Sequence, residues 1–112
     1  MQFFASSLYS EDCEKAADIY AGLFSGSVQF ASSNHAEILF SDSNRVILSK
    51  ETPECPVSPG TLVWRISPEE EKVLRNRLQE SGFSEESSGK KYFSYLDPWG
   101  NRNWFYYLSD KT

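Results

Sequence analysis

The chain has 112 residues, 24% of them charged and 39% hydrophobic, with a formal net charge of −5. That length suits one compact domain and leaves no room for two independent cores, while the apolar content excludes a disordered or fibrous chain. Nucleic acid is a poor partner for it, because phosphate contacts need clustered cations and the 11 Lys and Arg are scattered.

The longest apolar or aromatic run, Trp104 to Leu108, is far short of the roughly 18–20 residues that cross a bilayer, so no membrane partner is expected. The N-terminus lacks a basic region followed by an apolar stretch, which makes a soluble, cytoplasmic protein the expectation. Cys13 and Cys55 stand far apart in sequence without zinc spacing and read as free thiols. An acidic chain favours a cationic ligand, though the same charge also serves solubility alone.

Gln2 to Tyr9, rich in Phe and Tyr, reads as a strand handing over to a helix that starts at Ser10 or Asp12. Ala16, Ile19, Tyr20, Leu23 and Phe24 fall on one helical stripe, and Ser25-Gly26 ends it. Three strands follow, Ser27 to Ala31, His35 to Phe40 and Arg45 to Lys50, separated by Ser/Asn/Asp turns. Pro53, Pro56 and Pro59 make residues 53–60 a linker.

A second unit then begins. Thr61 to Ile66 is a β-branched and aromatic strand, and Ser67-Pro68-Glu69-Glu70 opens a helix with a capping box, its acidic first turn complementing the helix dipole. Val73, Leu74 and Leu78 mark the buried side of that helix, which ends at Ser81-Gly82. Phe83 and Ser84 can open a short strand, Glu85 to Gly89 reads as a polar loop, and Lys90 to Leu96 and Asn101 to Leu108 form a hairpin about Asp97-Pro98-Trp99-Gly100. The serines at the two helix starts, Ser10 and Ser67, have nearly the same separation as the glycines at the two helix ends, Gly26 and Gly82. The expected fold is therefore α+β: tandem βαβββ modules, about 1–52 and 61–112, within a single domain.

This duplicated βαβββ pattern, the helix segment Ala-Asp-Ile-Tyr-Ala-Gly-Leu-Phe-Ser-Gly and the late Leu-Asp-Pro-Trp-Gly-Asn hairpin resemble the vicinal oxygen chelate superfamily of glyoxalases, bleomycin-resistance proteins and extradiol dioxygenases. The resemblance implies a curved mixed-sheet cup with helices on its outer face. It also implies, in metal-using members, His or Glu ligands from the first and fourth strands of each module. Those positions match Ala5, Leu48, Thr61 and Trp104 here, and a divalent cation needs donors that these side chains do not offer. No metal and no cofactor are expected. His35 with Glu37, and Glu51 with Glu54, read as solvated edges.

Strand alternation would carry the neighbours of those positions into the cup: Phe3, Ser7 and Tyr9 with Ala5; Val46 and Lys50 with Leu48; Val63 and Arg65 with Thr61; Arg102 and Tyr106 with Trp104. Phe4, Leu8, Leu62, Trp64, Ile66, Phe105 and Tyr107 fall on the opposite face, under the helices. The expected ligand-binding residues are Phe3, Ser7, Tyr9, Leu48, Lys50, Thr61, Val63, Arg65, Trp104 and Tyr106, a lining suited to a flat, partly polar organic molecule. No nucleophile elbow, cysteine–histidine pair or phosphate loop is present, so no catalytic residue is assigned. The leading reading is a metal-free, drug-sequestering protein similar to the bleomycin-resistance branch, which the resemblance implies is a homodimer. Two alternatives stay open: a metal-dependent lyase or dioxygenase with displaced ligands, and a non-catalytic interaction protein that kept only the fold.

Overall fold

The computed structural model describes residues 1–107; Leu108, expected at the end of the last strand, lies outside them. The chain divides into two compact units, the first covering Met1–Gly60 and the second beginning at Thr61. In the first, β1 (Ser6–Tyr9), α1 (Cys13–Phe24), β2 (Ser27–Ala31), β3 (His35–Leu39) and β4 (Arg45–Ser49) form a four-stranded sheet of order β1-β4-β3-β2. In the second, β5 (Thr61–Ile66), α2 (Glu71–Glu80), β6 (Ser84–Ser88), β7 (Tyr92–Leu96) and β8 (Arg102–Tyr107) repeat it as β5-β8-β7-β6. In each sheet the first strand runs parallel to the fourth and the other pairs are antiparallel. The repeat extends to its irregularities, since β2 and β6 each carry a bulge, between Val28 and Phe30 and between Glu85 and Ser87. The fold class is α+β with tandem βαβββ units.

Unit 1 departs from the sequence expectation at its ends. Only Ser6–Tyr9 of the first stretch pairs as strand, leaving Met1, Phe3 and Phe4 exposed. Phe4, expected in the core, instead lies under the Arg45 guanidinium, 4.6 Å from its ring centre, a cation–π contact. Asp12 is the N-cap of α1, accepting from the Lys15 N–H at 3.1 Å, while Ser10 Oγ accepts from the Asp12 N–H just ahead of it. At the other end the left-handed residue is Ser25 (φ 58°) rather than Gly26. Gly26 is needed for another reason: a Cβ there would sit 2.6 Å from Ile38 Cγ2 and 2.7 Å from the Phe40 ring. Cys13, Ala16, Ala17, Tyr20 and Leu23 form the buried stripe of α1, which packs across β2, β3 and β4.

The parallel register pairs Leu8 with Leu48, and the antiparallel one pairs Ala36 with Leu48 and Ile38 with Val46. All five are buried, and Ile38 reaches the C-terminal end of α1, so this is the helix-covered face. Leu48, expected in the ligand cup, belongs to the core under α1, and Val46 with it. Ala5, which shares the parity of Ser7, and Leu48, which pairs with Leu8, belong to opposite sides of the sheet, because a shift of one residue turns a strand over.

In unit 2 the Ser67–Glu70 capping box forms as expected: the Ser67 N–H donates to Glu70 Oε1 at 2.7 Å. Glu71, Leu74, Arg75 and Leu78 face the sheet, whereas Val73, expected there, is exposed. Arg75 fastens the helix by lying 3.9 Å above the Phe93 ring and bonding Glu71 Oε2 at 2.6 Å; Tyr107 Oη donates to Glu71 Oε1 at 2.8 Å. Phe93, Tyr95, Asn103 and Phe105 are fully buried, with the Trp64 indole N–H donating to Asn103 Oδ1 at 2.9 Å. Ser84–Ser88, expected as a loop apart from its first residue, is instead edge strand β6. It pairs with β7 along its length, and pairing overrides the weak strand propensity of Ser-Glu-Glu-Ser-Ser.

The hairpin between β7 and β8 is held by the buried Asp97 carboxylate. Its Oδ1 accepts from the N–H groups of Trp99 (2.9 Å) and Asn101 (2.8 Å) and its Oδ2 from the Asn101 side-chain amide (2.7 Å), with Gly100 supplying the positive φ of 91°. Removing that acceptor strands buried donors. Asp97→Ala is expected to lower the unfolding free energy by about 3 kcal/mol, measured as a shift of the urea midpoint at unchanged slope; a loss below about 0.5 kcal/mol would show that the turn is held by its backbone alone.

Candidate functional site

With α2 on one side of its sheet, unit 2 leaves the other face open. Cross-strand pairing arranges that face in rows. Arg65 stands beside Tyr106 and Tyr92; Val63 beside Trp104, Ser94 and Ser87; Thr61 beside Arg102, Leu96 and Ser84. Five residues expected in the ligand site, Thr61, Val63, Arg65, Trp104 and Tyr106, are therefore brought together on one surface. Tyr92, which sequence reasoning did not single out, completes it: its ring stacks on Tyr106 at 5.5 Å and meets Trp104 edge-on at 5.4 Å. The signal was available, because Tyr92 shares its strand parity with Ser94 and Leu96. Val63, Tyr92 and Tyr106 are 59%, 46% and 47% exposed, an unusual outlay of apolar surface on strands.

The other end of this face is polar and internally satisfied. Glu86, turned onto the open side by the β6 bulge, takes a two-pronged contact from Arg102 (Nε to Oε1 2.6 Å, Nη2 to Oε2 2.5 Å) and a third bond from Ser94 Oγ at 3.0 Å. The Arg102 bonds, with Ser94 helping, hold the Glu86 carboxyl below its ordinary range and raise Arg102 in turn.

Unit 1 has an open face of different character. Here Ser7 pairs with Ile47 and Tyr9 with Ser49, so these two expected site residues do lie on the side away from α1. Phe3 lies outside the strand and is 85% exposed. Lys50 follows the end of β4, and the buried Cys13 thiol stands at the start of α1. Burial pushes that thiol up, away from a nucleophile's range. His35, Glu37 and Arg45 form a chain of contacts, His35 Nε2 to Glu37 at 3.3 Å and Arg45 Nη1 to Glu37 at 3.4 Å, as expected for an i, i+2 pair on one strand face. Beside Tyr9 lies an open cleft of about 270 Å³ lined also by Glu11, Glu51, Val57, Ser58 and Pro59. The Tyr9 hydroxyl donates to Glu11, which raises the phenol's pKa ahead of the smaller effects of burial and of the Glu11 and Glu51 charges.

The register also fixes the places at which the resemblance implies metal ligands. Ser7 opposite Ile47 in unit 1 corresponds to Val63 opposite Trp104 in unit 2, so the fourth-strand position of unit 1 is Ile47 and not Leu48. The four positions then read Ala5, Ile47, Thr61 and Trp104, a set with no imidazole, carboxylate or thiolate, which does not fit a divalent cation. Among the described residues no three His, Cys, Asp or Glu side chains stand close enough to hold a metal ion together.

No protein-family model matches this chain, and no curated protein matches it. Solved structures do resemble it in fold. Protein ATC0852 from Agrobacterium tumefaciens aligns with a TM-score of 0.79 at 16% identity, over 97% of this chain and 98% of that one. The fosfomycin resistance protein FosX from Listeria monocytogenes, complexed with Mn(II) and sulfate, aligns with a TM-score of 0.75 at 11% identity, over 96% and 90%. The oxidase ChaP-H2 gives 0.73 at 12%, over 96% and 94%. The likeness is one of fold: the tandem βαβββ arrangement is shared with fosfomycin resistance proteins and an oxidase.

A carboxyl held lower in the folded chain than in the unfolded one binds fewer protons when folded. Its contribution is therefore present above the ordinary value of 4.5 and is lost as pH falls through the lowered one. Glu86→Gln is expected to flatten the part of the stability–pH curve below 4.5, measured by urea unfolding between about pH 3 and 6. A curve superimposable on that of the native chain would mean the Glu86–Arg102 pair is not formed in solution.

Proposed function

We propose that this protein is a metal-free binder of a small organic molecule, which it sequesters rather than transforms, and that a flat aromatic part of the ligand lies on the open face of unit 2. The observation that carries this reading is the cluster of Tyr92, Trp104 and Tyr106 beside exposed Val63 on a strand face that no described element of its own unit covers. Rings on rigid strands offer large contact area at little cost in side-chain entropy, and Thr61 and Arg65 at the margin supply the polar contacts that orient a ligand. Sequestration without chemistry is favoured by the donor-poor metal positions and by Cys13, whose thiol is buried and raised. The fold likeness to the FosX fosfomycin resistance proteins supports a resistance role; capture without chemistry, on the pattern of the bleomycin-resistance branch, rests on the sequence resemblance. A homodimer belongs to the same proposal, as does a cytoplasmic location. Two free cysteines, one of them exposed, suit a reducing compartment, and no helix among the described residues is long and apolar enough to cross a membrane.

Purified protein mixed with a panel of flat aromatic compounds of positive, neutral and negative charge is expected to show tryptophan fluorescence changes and a raised melting temperature for some of them. Trp104→Ala, with its fold verified by circular dichroism, is expected to weaken that binding about tenfold or more. Silence across the whole panel would end the binding proposal. Elemental analysis of protein prepared without chelator is expected to find no stoichiometric Ni, Zn, Fe or Mn; a stoichiometric metal would favour the lyase or dioxygenase reading instead.

A further inference from the structure

The net charge of −5 favours a cationic ligand for the chain as a whole, but the open face of unit 2 carries the opposite local sign. Among its described strand residues the sole carboxylate is Glu86, and both of its oxygens are taken, by Arg102 and Ser94. Arg102 is committed to the same pair. Arg65 is not: it is exposed, it stands directly across the strand pair from Tyr106, and it has no ion-pair partner among the described residues. Two more exposed cations, Lys90 and Lys91, occupy the turn leading into Tyr92, at the same end of the face. One end of the aromatic cluster is thus bordered by unspent positive charge, and the other by a neutralised pair.

From this arrangement we infer that the open face of unit 2 takes a planar aromatic acid, its ring against Trp104 and Tyr106 and its anionic group on the Arg65 guanidinium; the inference rests on the binding reading above. The ring component follows from stacking surface, and the acid from the fork of N–H donors that a guanidinium offers to a carboxylate, sulfonate or phosphate. Chain-wide negative charge does not oppose this strongly. At physiological salt it is screened over about 8 Å and acts mainly on the rate of approach, whereas a contact ion pair acts on affinity. A cationic aromatic placed on the same rings finds Arg65 close by and, among the described residues of that face, no open carboxylate to receive it.

Three matched probes separate the possibilities: naphthalene-2-carboxylate, its neutral carboxamide, and 2-naphthylmethylammonium, titrated into the native protein and into Arg65→Glu with tryptophan fluorescence as readout. Arg65 is on the exposed face, so its replacement leaves the core intact. The native protein is expected to bind the acid about five- to tenfold more tightly than the amide, a margin that shrinks at high salt. In Arg65→Glu the ratio of acid to amide affinity is expected to fall to one or below, with the ammonium probe becoming the preferred ligand. Equal binding of all three probes, or a preference for the ammonium in the native protein, would overturn the acid inference while leaving the binding reading standing. Failure of every probe to bind would remove both.

Discussion

A parallel strand pair cannot be closed by a tight turn, because the chain must return to the same end of the sheet before the second strand begins. Each unit here joins its first strand to its fourth in that way, β1 with β4 and β5 with β8. The chain between them contains a helix that covers one face and a three-strand meander that widens the sheet on the other edge. The sheet is thereby sorted into a covered face and an open one. The parallel register decides which residues enter the core and which reach the open face.

The covered faces behave as that constraint requires. Leu8, Ala36, Ile38, Val46 and Leu48 close against α1 in one unit, and Phe93, Tyr95, Asn103 and Phe105 close under α2 in the other. The second helix has less apolar surface to offer, so Arg75 takes over part of the task. Its guanidinium lies on Phe93 while its charge is met by Glu71, and Tyr107 bonds the same carboxylate, which holds Glu71 below its ordinary range. Leu78 is the fully buried side chain of that helix.

The two open faces have diverged. That of unit 1 carries hydroxyls and a His35–Glu37–Arg45 chain, with an acidic cleft beside Tyr9. That of unit 2 carries three clustered rings, an exposed guanidinium and a self-satisfied Glu86–Arg102 pair. Duplicated units that keep the same strand order and the same edge-strand bulges share their backbone physics, and the open-face side chains are free to differ because no core depends on them.

Local patterns were sufficient for much of this. The helix stripes, the Ser67–Glu70 capping box, the Asp97–Asn101 turn and the repeated order of elements are short-range features, each set by residues within a few positions of one another, and they could be read directly. So could the sharing of one face by Thr61, Val63, Arg65, Trp104 and Tyr106, since strong alternation in both strands leaves a single way to pair them. Three matters were decided only in three dimensions. Ser84–Ser88 becomes a strand because β7 offers it hydrogen bonds, which its own composition does not announce. Leu48 goes under the helix, and Ile47 takes the open face, because a mostly apolar run such as Val46-Ile47-Leu48 has no alternation of its own and takes its parity from Leu8 across the sheet. The sign of the open face depends on which cation Glu86 consumes, and that choice rests on a bulge and on distances between side chains 16 positions apart, to which net charge is blind.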